Sequence, residues 1–196
     1  IGNPPYVRYQ DIQPDTALLL RSPLFDGRSN LYLFFIEKAI RHLEPGGELI
    51  FITPRDFLKT TSSVKLNRWL FQQGSITDAI ELGDAKVFDG AVPNCLIWRF
   101  EKDQVSRETR YAEIGYGCDL AQALANPPWE GRVFTEASGH LMFTRGDYGL
   151  HVRDLFSVKV GAVSGADDLY AHLPGNRDFV CSETSTTGQT RRMLWQ

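Results

Sequence analysis

The stretch that most narrows what this chain can fold into is Glu48-Leu49-Ile50-Phe51-Ile52-Thr53, ended by Pro54. A nearly unbroken apolar run of strand length offers no polar face to water. That is the pattern of a strand buried on both sides of a parallel sheet. Upstream, Asn30 to Leu43 carries Leu31, Phe34, Phe35, Ala39 and Leu43 at helical spacing. Ser29 or Asn30 is the expected N-cap, and Glu44-Pro45-Gly46-Gly47 stops the helix with glycine at the place of a left-handed cap. Downstream, Thr61 to Gln73 reads as a second helix with Val64, Leu66, Trp69 and Leu70 inward, ended by Gly74. Ile76 to Leu82 and Val92 to Phe100 read as strands, the proline of the latter near its start, where a strand tolerates it. Ile1 reads as the last residue of a strand. This order is the second half of an open α/β sheet. Ligands of such sheets bind at the carboxyl ends of the strands.

One segment at that edge carries chemistry. Gly2-Asn3-Pro4-Pro5-Tyr6 follows Ile1 directly. Neither proline has a backbone N–H and each fixes φ, so the segment continues no ladder and no helix. Each proline also biases its predecessor toward extended geometry. The Asn3 side-chain oxygen and the Pro4 carbonyl are both acceptors. Two acceptors on one conjugated NH2 group draw its hydrogens out of plane and free the lone pair, while Tyr6 offers a flat face to the ring bearing the amine. The plainer reading of the same residues is an ordinary turn, since Asn-Pro is a turn signal.

The rest of the chain is less distinctive. Residues 7–29 form a long loop with Leu18, Leu19 and Leu20 as a short helical turn. From Glu101 to about Gly139 charges, Asn126-Pro127-Pro128 and Gly131 suggest a connector with little sheet. Leu155 to Tyr170 reads as a strand, a glycine-containing turn and a short continuation, and Phe179-Val180 as a further strand. Net charge is −3 over 196 residues, with 12 Lys and Arg against 13 Asp and Glu in residues 1–103 and 9 against 11 in residues 104–196. Bulk charge therefore gives no nucleic-acid footprint, and any basic surface is a local patch. Arg191 and Arg192 are a short charge run of the kind that forms a solvated face. Cys95, Cys118 and Cys181 are odd in number and widely spaced, neither a zinc pattern nor a disulfide framework. No metal is implied, a reducing cytoplasm is the expected compartment, and no apolar run approaches the length of a membrane span.

The chain resembles the adenine N6 DNA methyltransferases of restriction–modification systems, in the subgroup whose order is cofactor motifs, catalytic motifs, then target-recognition domain. Gly2-Asn3-Pro4-Pro5-Tyr6-Val7 is similar to the catalytic motif. Asn30-Leu31-Tyr32 with Phe35, Glu37, Lys38 and Ala39, then Leu43, Pro45-Gly46-Gly47, Ile52, Pro54 and Phe57-Leu58, is similar to the block that follows it. Val87-Phe88-Asp89-Gly90-Ala91 with Leu96-Ile97 is similar to the motif holding an aromatic over the flipped base. Leu155 to Gly161 with Ser164-Gly165-Ala166-Asp167 and Tyr170 is similar to the start of the recognition domain.

The resemblance implies the second half of a Rossmann-like, S-adenosylmethionine-dependent sheet over residues 1–102, with its last strands antiparallel to the rest. A connector at 103–139 and the beginning of a DNA target-recognition domain at 140–196 would follow. It implies that Asn3 and Pro4 accept from the adenine amine, with Pro5 holding the loop. Tyr6 stacks on the flipped base, Phe88 contacts the same base, and Phe35 and Asn3 border the cofactor. Phe35 also lies on the apolar stripe of its helix, where the residue pattern reads as core. The family's glycine-rich cofactor loop and acidic ribose ligand are expected upstream of Ile1, so residues 1–196 alone are expected to bind the cofactor weakly and to be inactive. Implied partners are double-stranded DNA and a restriction endonuclease or specificity module. Two other readings stay open: a methyltransferase acting on a protein glutamine or an RNA amine, and a non-catalytic DNA-binding or assembly fragment.

Overall fold

The computed structural model describes residues 1–19, 21–25, 28–83, 94–115, 118–146, 150 and 152–156. By internal contacts the chain divides into Ile1–Asp147 and Tyr148–Gln196. In the second unit the described secondary structure is one short helix, α5 (Val152–Leu155). Leu155 is thus helical where the sequence suggested a strand, and residues 157–196, with the rest of the expected recognition-domain start, lie outside the described residues. Phe88 lies outside them too.

The first unit is built on a six-stranded mixed sheet. In chain order its strands are β1 (Glu48–Pro54), β2 (Gly74–Glu81), β3 (Cys95–Lys102), β4 (Glu108–Glu113), β5 (Glu130–Ala137) and β6 (His140–Thr144). Their spatial order is β1-β3-β2-β4-β5-β6. β3 is antiparallel to both β1 and β2, and β4 is parallel to β2. β1, β2 and β4 therefore run the same way, and their carboxyl ends share one edge. Of the strands expected to oppose the others within residues 1–102, β3 does so and β2 does not. Nor is β1 the purely parallel strand that its apolar run suggested, since β3 lies beside it. On β1, Leu49, Phe51 and Thr53 are buried, and the intervening residues are half-buried except Glu48.

The helices are α1 (Pro14–Leu19), α2 (Leu31–His42), α3 (Val64–Gln73) and α4 (Leu120–Ala125). α2 buries Tyr32, Leu33, Ile36 and Ile40, and α3 buries Leu66, Asn67 and Leu70. These join Phe51, Phe57, Trp98 and Phe100 in the main core. A second apolar cluster of Leu82, Cys95 and Ile114 gathers Ile52, Ile80 and Ile97. The inward face of α2 is one step round from the stripe read in the sequence. Phe35 consequently stands 44% exposed, which overturns its reading as a core residue.

Two further details differ from expectation. Leu43, with extended backbone, ends α2, and Gly46 instead forms the Glu44–Gly47 turn, closed by the Gly47 N–H donating to the Glu44 carbonyl at 2.8 Å. Residues 103–139 are not a connector with little sheet: they supply β4 and β5, and β6 completes the sheet. At least half of the residues in each of these strands are exposed or half-buried, so no apolar run announces them. Their pairing is set instead by the parallel register with β2 and by the hairpin at Ser138-Gly139.

Candidate active site at the strand ends

The Asn3–Tyr6 loop leaves the sheet at the edge where β1, β2 and β4 end. Gly2 forms a parallel bridge to β1: its N–H donates to the Ile50 carbonyl at 2.9 Å, and its carbonyl accepts from the Ile52 N–H at 3.2 Å. A Cβ on Gly2 would stand 2.8 Å from the Phe51 ring. Glycine is therefore required where the backbone crosses that ring.

Beyond Gly2 the chain departs from the ladder, as two prolines dictate. Pro4 is buried, while Asn3 and Pro5 are exposed. Tyr6 is half-buried and touches both apolar clusters. Its hydroxyl donates to the Ile52 carbonyl at 3.0 Å, and its ring meets Tyr32 in a T-shaped pair at 6.1 Å. The loop is then tied to α2: the Leu31 N–H donates to the Val7 carbonyl at 2.9 Å, and the Tyr9 N–H to Asn30 Oδ1 at 3.1 Å. Asn30 is the N-cap residue, as its position in the sequence suggested, but its side chain serves the loop rather than the helix.

The protonation states follow from burial. Burial pushes the Tyr6 phenol well above its ordinary value, and the neighbouring Cys95 thiol adds to the shift. The Tyr32 phenol is raised by burial first, then by the Asp56 carboxylate and by Tyr6. The Cys95 thiol is raised by burial, with its hydrogen bond to Tyr6 acting the other way. The phenols and the thiol are thus neutral at physiological pH. The loop presents acceptors and a neutral aromatic ring. That set suits polarising an amine and stacking a base better than a reaction needing a strong general base.

The remaining charge at this edge escaped the sequence reading. Arg55, directly after β1, forms an ion pair with Glu81, the last residue of β2. The Tyr111 hydroxyl of β4 donates to the same carboxylate. The Arg55 N–H donates to the Asn94 carbonyl at 2.8 Å, and the Leu82 N–H to the Cys95 carbonyl at 3.0 Å. The strand ends and the entry to β3 are thereby tied together. The available signal was the charged residue at the end of each apolar run: Arg55 after Pro54, and Glu81 after Ile80.

Of the residues singled out from the sequence, Asn3, Pro4, Pro5 and Tyr6 form one continuous loop at the expected edge. Phe35 lies on α2 with its side chain exposed. Among the described residues there is no cluster of His, Cys, Asp and Glu suited to hold a metal ion, and no helix is long and apolar enough to cross a membrane.

Comparison with known proteins agrees with this geometry. Residues 1–88 match the model of the Eco57I restriction-modification methylase family. The chain is 36% identical over 104 residues to the type II methyltransferase M.BanIII of Aneurinibacillus aneurinilyticus, covering 52% of this chain and 18% of that protein. It is 33% identical over 107 residues to the type II methyltransferase M.HincII of Haemophilus influenzae, covering 52% of this chain and 21% of that protein. The alignments thus span about a fifth of the length of these relatives. Among solved structures, the type IIL restriction-modification enzyme MmeI in complex with DNA shares the fold at a TM-score of 0.52 and 18% identity, covering 67% of this chain and 18% of that one. The DrdV–DNA complex does so at a TM-score of 0.51 and 12% identity, covering 71% and 17%. The resemblance to restriction–modification DNA methyltransferases is borne out, and so is the α/β methyltransferase fold.

Proposed function

We propose that the chain is part of a site-specific DNA methyltransferase of a restriction–modification system. Its reaction is methyl transfer from S-adenosylmethionine to N6 of an adenine flipped out of the duplex. The observation that carries this reading is the Gly2–Tyr6 loop: an exposed Asn3 and a Tyr6 ring held by the Ile52 carbonyl, at the carboxyl edge of the sheet.

In this mechanism Asn3 Oδ1 and the Pro4 carbonyl accept hydrogen bonds from the adenine amine, and the amine's lone pair becomes available. Tyr6 supplies a stacking face. Stacking on an aromatic contributes roughly 1–3 kcal/mol per base, the same order as the few kcal/mol that flipping costs. Asn3, exposed in the loop, and the exposed side chain of Phe35 fit the polar and planar parts of a nucleoside-bearing cofactor. When bound, S-adenosylmethionine supplies an electrophilic methyl group. No side chain of elevated basicity is needed, because the alkylated amine is itself the acid that releases the proton. Phe88 is assigned to the same base, and residues 140–196 to target recognition, with double-stranded DNA as substrate. A restriction endonuclease or specificity module is the further partner.

The test is transfer of labelled methyl from S-adenosylmethionine by the gene product carrying this chain. Duplex DNA, RNA and a glutamine-bearing peptide serve as acceptors, followed by nucleoside digestion. N6-methyladenine is the expected product; label in cytosine, RNA or peptide overturns the assignment. Asn3→Ala should slow single-turnover transfer by about 10²–10³, as loss of an acceptor aimed at developing charge does, with duplex binding nearly intact. Tyr6→Ala should also weaken base capture, read by 2-aminopurine fluorescence at the target position. Normal single-turnover rates in Asn3→Ala would leave the loop as a turn without a chemical role.

A further inference from the structure

Beside the candidate active site runs an open groove of about 450 Å³. One wall is the segment after β1, with Arg55, Lys59 and Thr60; the other carries Tyr111, Arg132 and Thr144. Its size is within the range of ligand clefts, roughly 300–1,000 Å³. One buried side chain fixes its width. The amide nitrogen of Asn67 donates to the Phe57 and Leu58 carbonyls at 2.8 and 3.2 Å on the first wall, and to the Gly139 carbonyl at 2.9 Å in the β5–β6 turn behind the second.

The charges within it are unevenly committed. The Glu81 carboxylate is taken by Arg55 and Tyr111. The Arg132 guanidinium lies 3.7 Å from the centre of the Tyr111 ring and is paired with Glu130. Lys59 is exposed, and among the described residues its ammonium is in no ion pair. Among the described residues the lining carboxylate in no ion pair is Asp56, close enough to Tyr32 to raise its pKa, and Tyr32 in turn meets Tyr6. Asp56, linked to Tyr6 through Tyr32, thus lines the groove together with Lys59, Thr60 and Thr144. An open channel with an exposed lysine that is in no ion pair among the described residues fits an anionic chain passing through better than an enclosed small molecule.

We infer that this groove seats a backbone phosphate of the DNA strand next to the target base, with Lys59 as its charge partner and Glu81 holding Arg55 alongside. The inference rests on the methyltransferase reading above, to which it adds the position and identity of a phosphate contact.

The test measures equilibrium binding of the gene product to a duplex over a range of salt. Each phosphate neutralised by a protein cation contributes about 0.9 to the slope of log affinity against log salt. Lys59→Ala should lower that slope by about this amount. Lys65→Ala, which removes an exposed lysine on α3 away from the groove, should leave it unchanged. In a scan of neutral methylphosphonate linkages, one position should weaken wild-type binding several-fold and have no effect in Lys59→Ala. If Lys59→Ala keeps the wild-type slope, or every methylphosphonate effect persists in it, the groove is not the phosphate seat even though DNA is bound. If the wild-type protein binds no duplex, the inference and the methyltransferase reading fall together.

Discussion

The two halves of the sheet share one apolar core, to which Phe134 and Leu141 also belong, but differ in how their aromatic residues are covered. In β1, β3 and β2 the interior is close-packed apolar material. Trp98, Phe100, Leu96 and Ile76 are all fully buried, and Trp98 meets Phe51 edge-on at 6.0 Å and Phe57 at 5.4 Å. The Trp98 indole N–H is satisfied by Thr53 Oγ1 at 3.0 Å. In and around β4 and β5, aromatic rings are capped by guanidinium groups. Arg132 lies over Tyr111, and Arg110 over Trp129 at 5.0 Å. At the junction with α3, Arg107 lies 3.8 Å over Phe71. Glu130 receives both Arg132 and Arg145. Apolar burial is indifferent to salt and pH to first order. Exposed cation–ring contacts contribute about 0.5–1 kcal/mol each, and ion pairs at the surface are screened. The half bearing the Asn3–Tyr6 loop is thus covered mainly by apolar packing, and the half forming the far wall of the groove adds guanidinium caps that salt and pH can weaken.

The sharpest way to break this contrast is Trp98→Ala. Truncating a fully buried aromatic costs about 3–5 kcal/mol, so urea denaturation should show most of the stability of residues 1–147 lost in one transition. A change below about 1 kcal/mol would mean that the apolar half is not the foundation.

Gly139→Ala comes next. Gly139 has φ +83°, and a Cβ there would lie 2.4 to 3.0 Å from atoms of Val64. Left-handed backbone costs an alanine about 1–2 kcal/mol, and the collision adds to it. The expected loss is about 2 kcal/mol or more, concentrated in the β5–β6 hairpin by hydrogen exchange. Val64→Ala in the same chain should recover part of it; simple additivity of the two changes would refute the contact.

The smallest effect is one of pH. Arg132's hydrogen bond, the largest influence, holds the Glu130 carboxyl below its ordinary value; desolvation opposes it, and the smaller effects of the Arg132 and Arg145 charges support it. A folded-state pKa below the unfolded one contributes stability that is present above the unfolded pKa and lost as pH falls through the folded one. Amides of β5 and β6 should therefore lose protection at the acid end, below the usual carboxylate range, before those of β1 and β3. Glu130→Gln should remove that acid-sensitive component. An identical acid profile in both proteins would remove Glu130 from the explanation.

The same contrast explains what was legible in the sequence. β1 carries the four-residue apolar run Leu49-Ile50-Phe51-Ile52 and β3 is rich in Leu, Ile, Trp and Phe, so one buried and one half-buried face leave a plain record. Thr109-Arg110-Tyr111 and Arg132-Val133-Phe134-Thr135 alternate charge with aromatic residues, and without knowledge of the guanidinium caps they read as a solvated connector. The Asn3–Tyr6 loop was legible because two prolines carry their geometry with them. The Arg55–Glu81–Tyr111 contact was not, because its members come from three strand ends linked only by the order β1-β3-β2-β4. Phe35 was misplaced for a geometric reason: an apolar stripe at helical spacing does not say which edge of the stripe faces inward, and Tyr32, Leu33, Ile36 and Ile40 took that side.

The hydroxyl of Tyr6 is committed to the Ile52 carbonyl, and the ring is wedged beside Tyr32. A side chain fixed in this way has given up its rotational freedom during folding. Ordering a mobile side chain on association costs about 0.5–1.5 kcal/mol, and a planar ligand stacking on Tyr6 meets a ring for which that cost is already met. Replacing the tyrosine with phenylalanine would keep the stacking surface and release the rotor. Its penalty would therefore be entropic, growing with temperature where a lost contact would not.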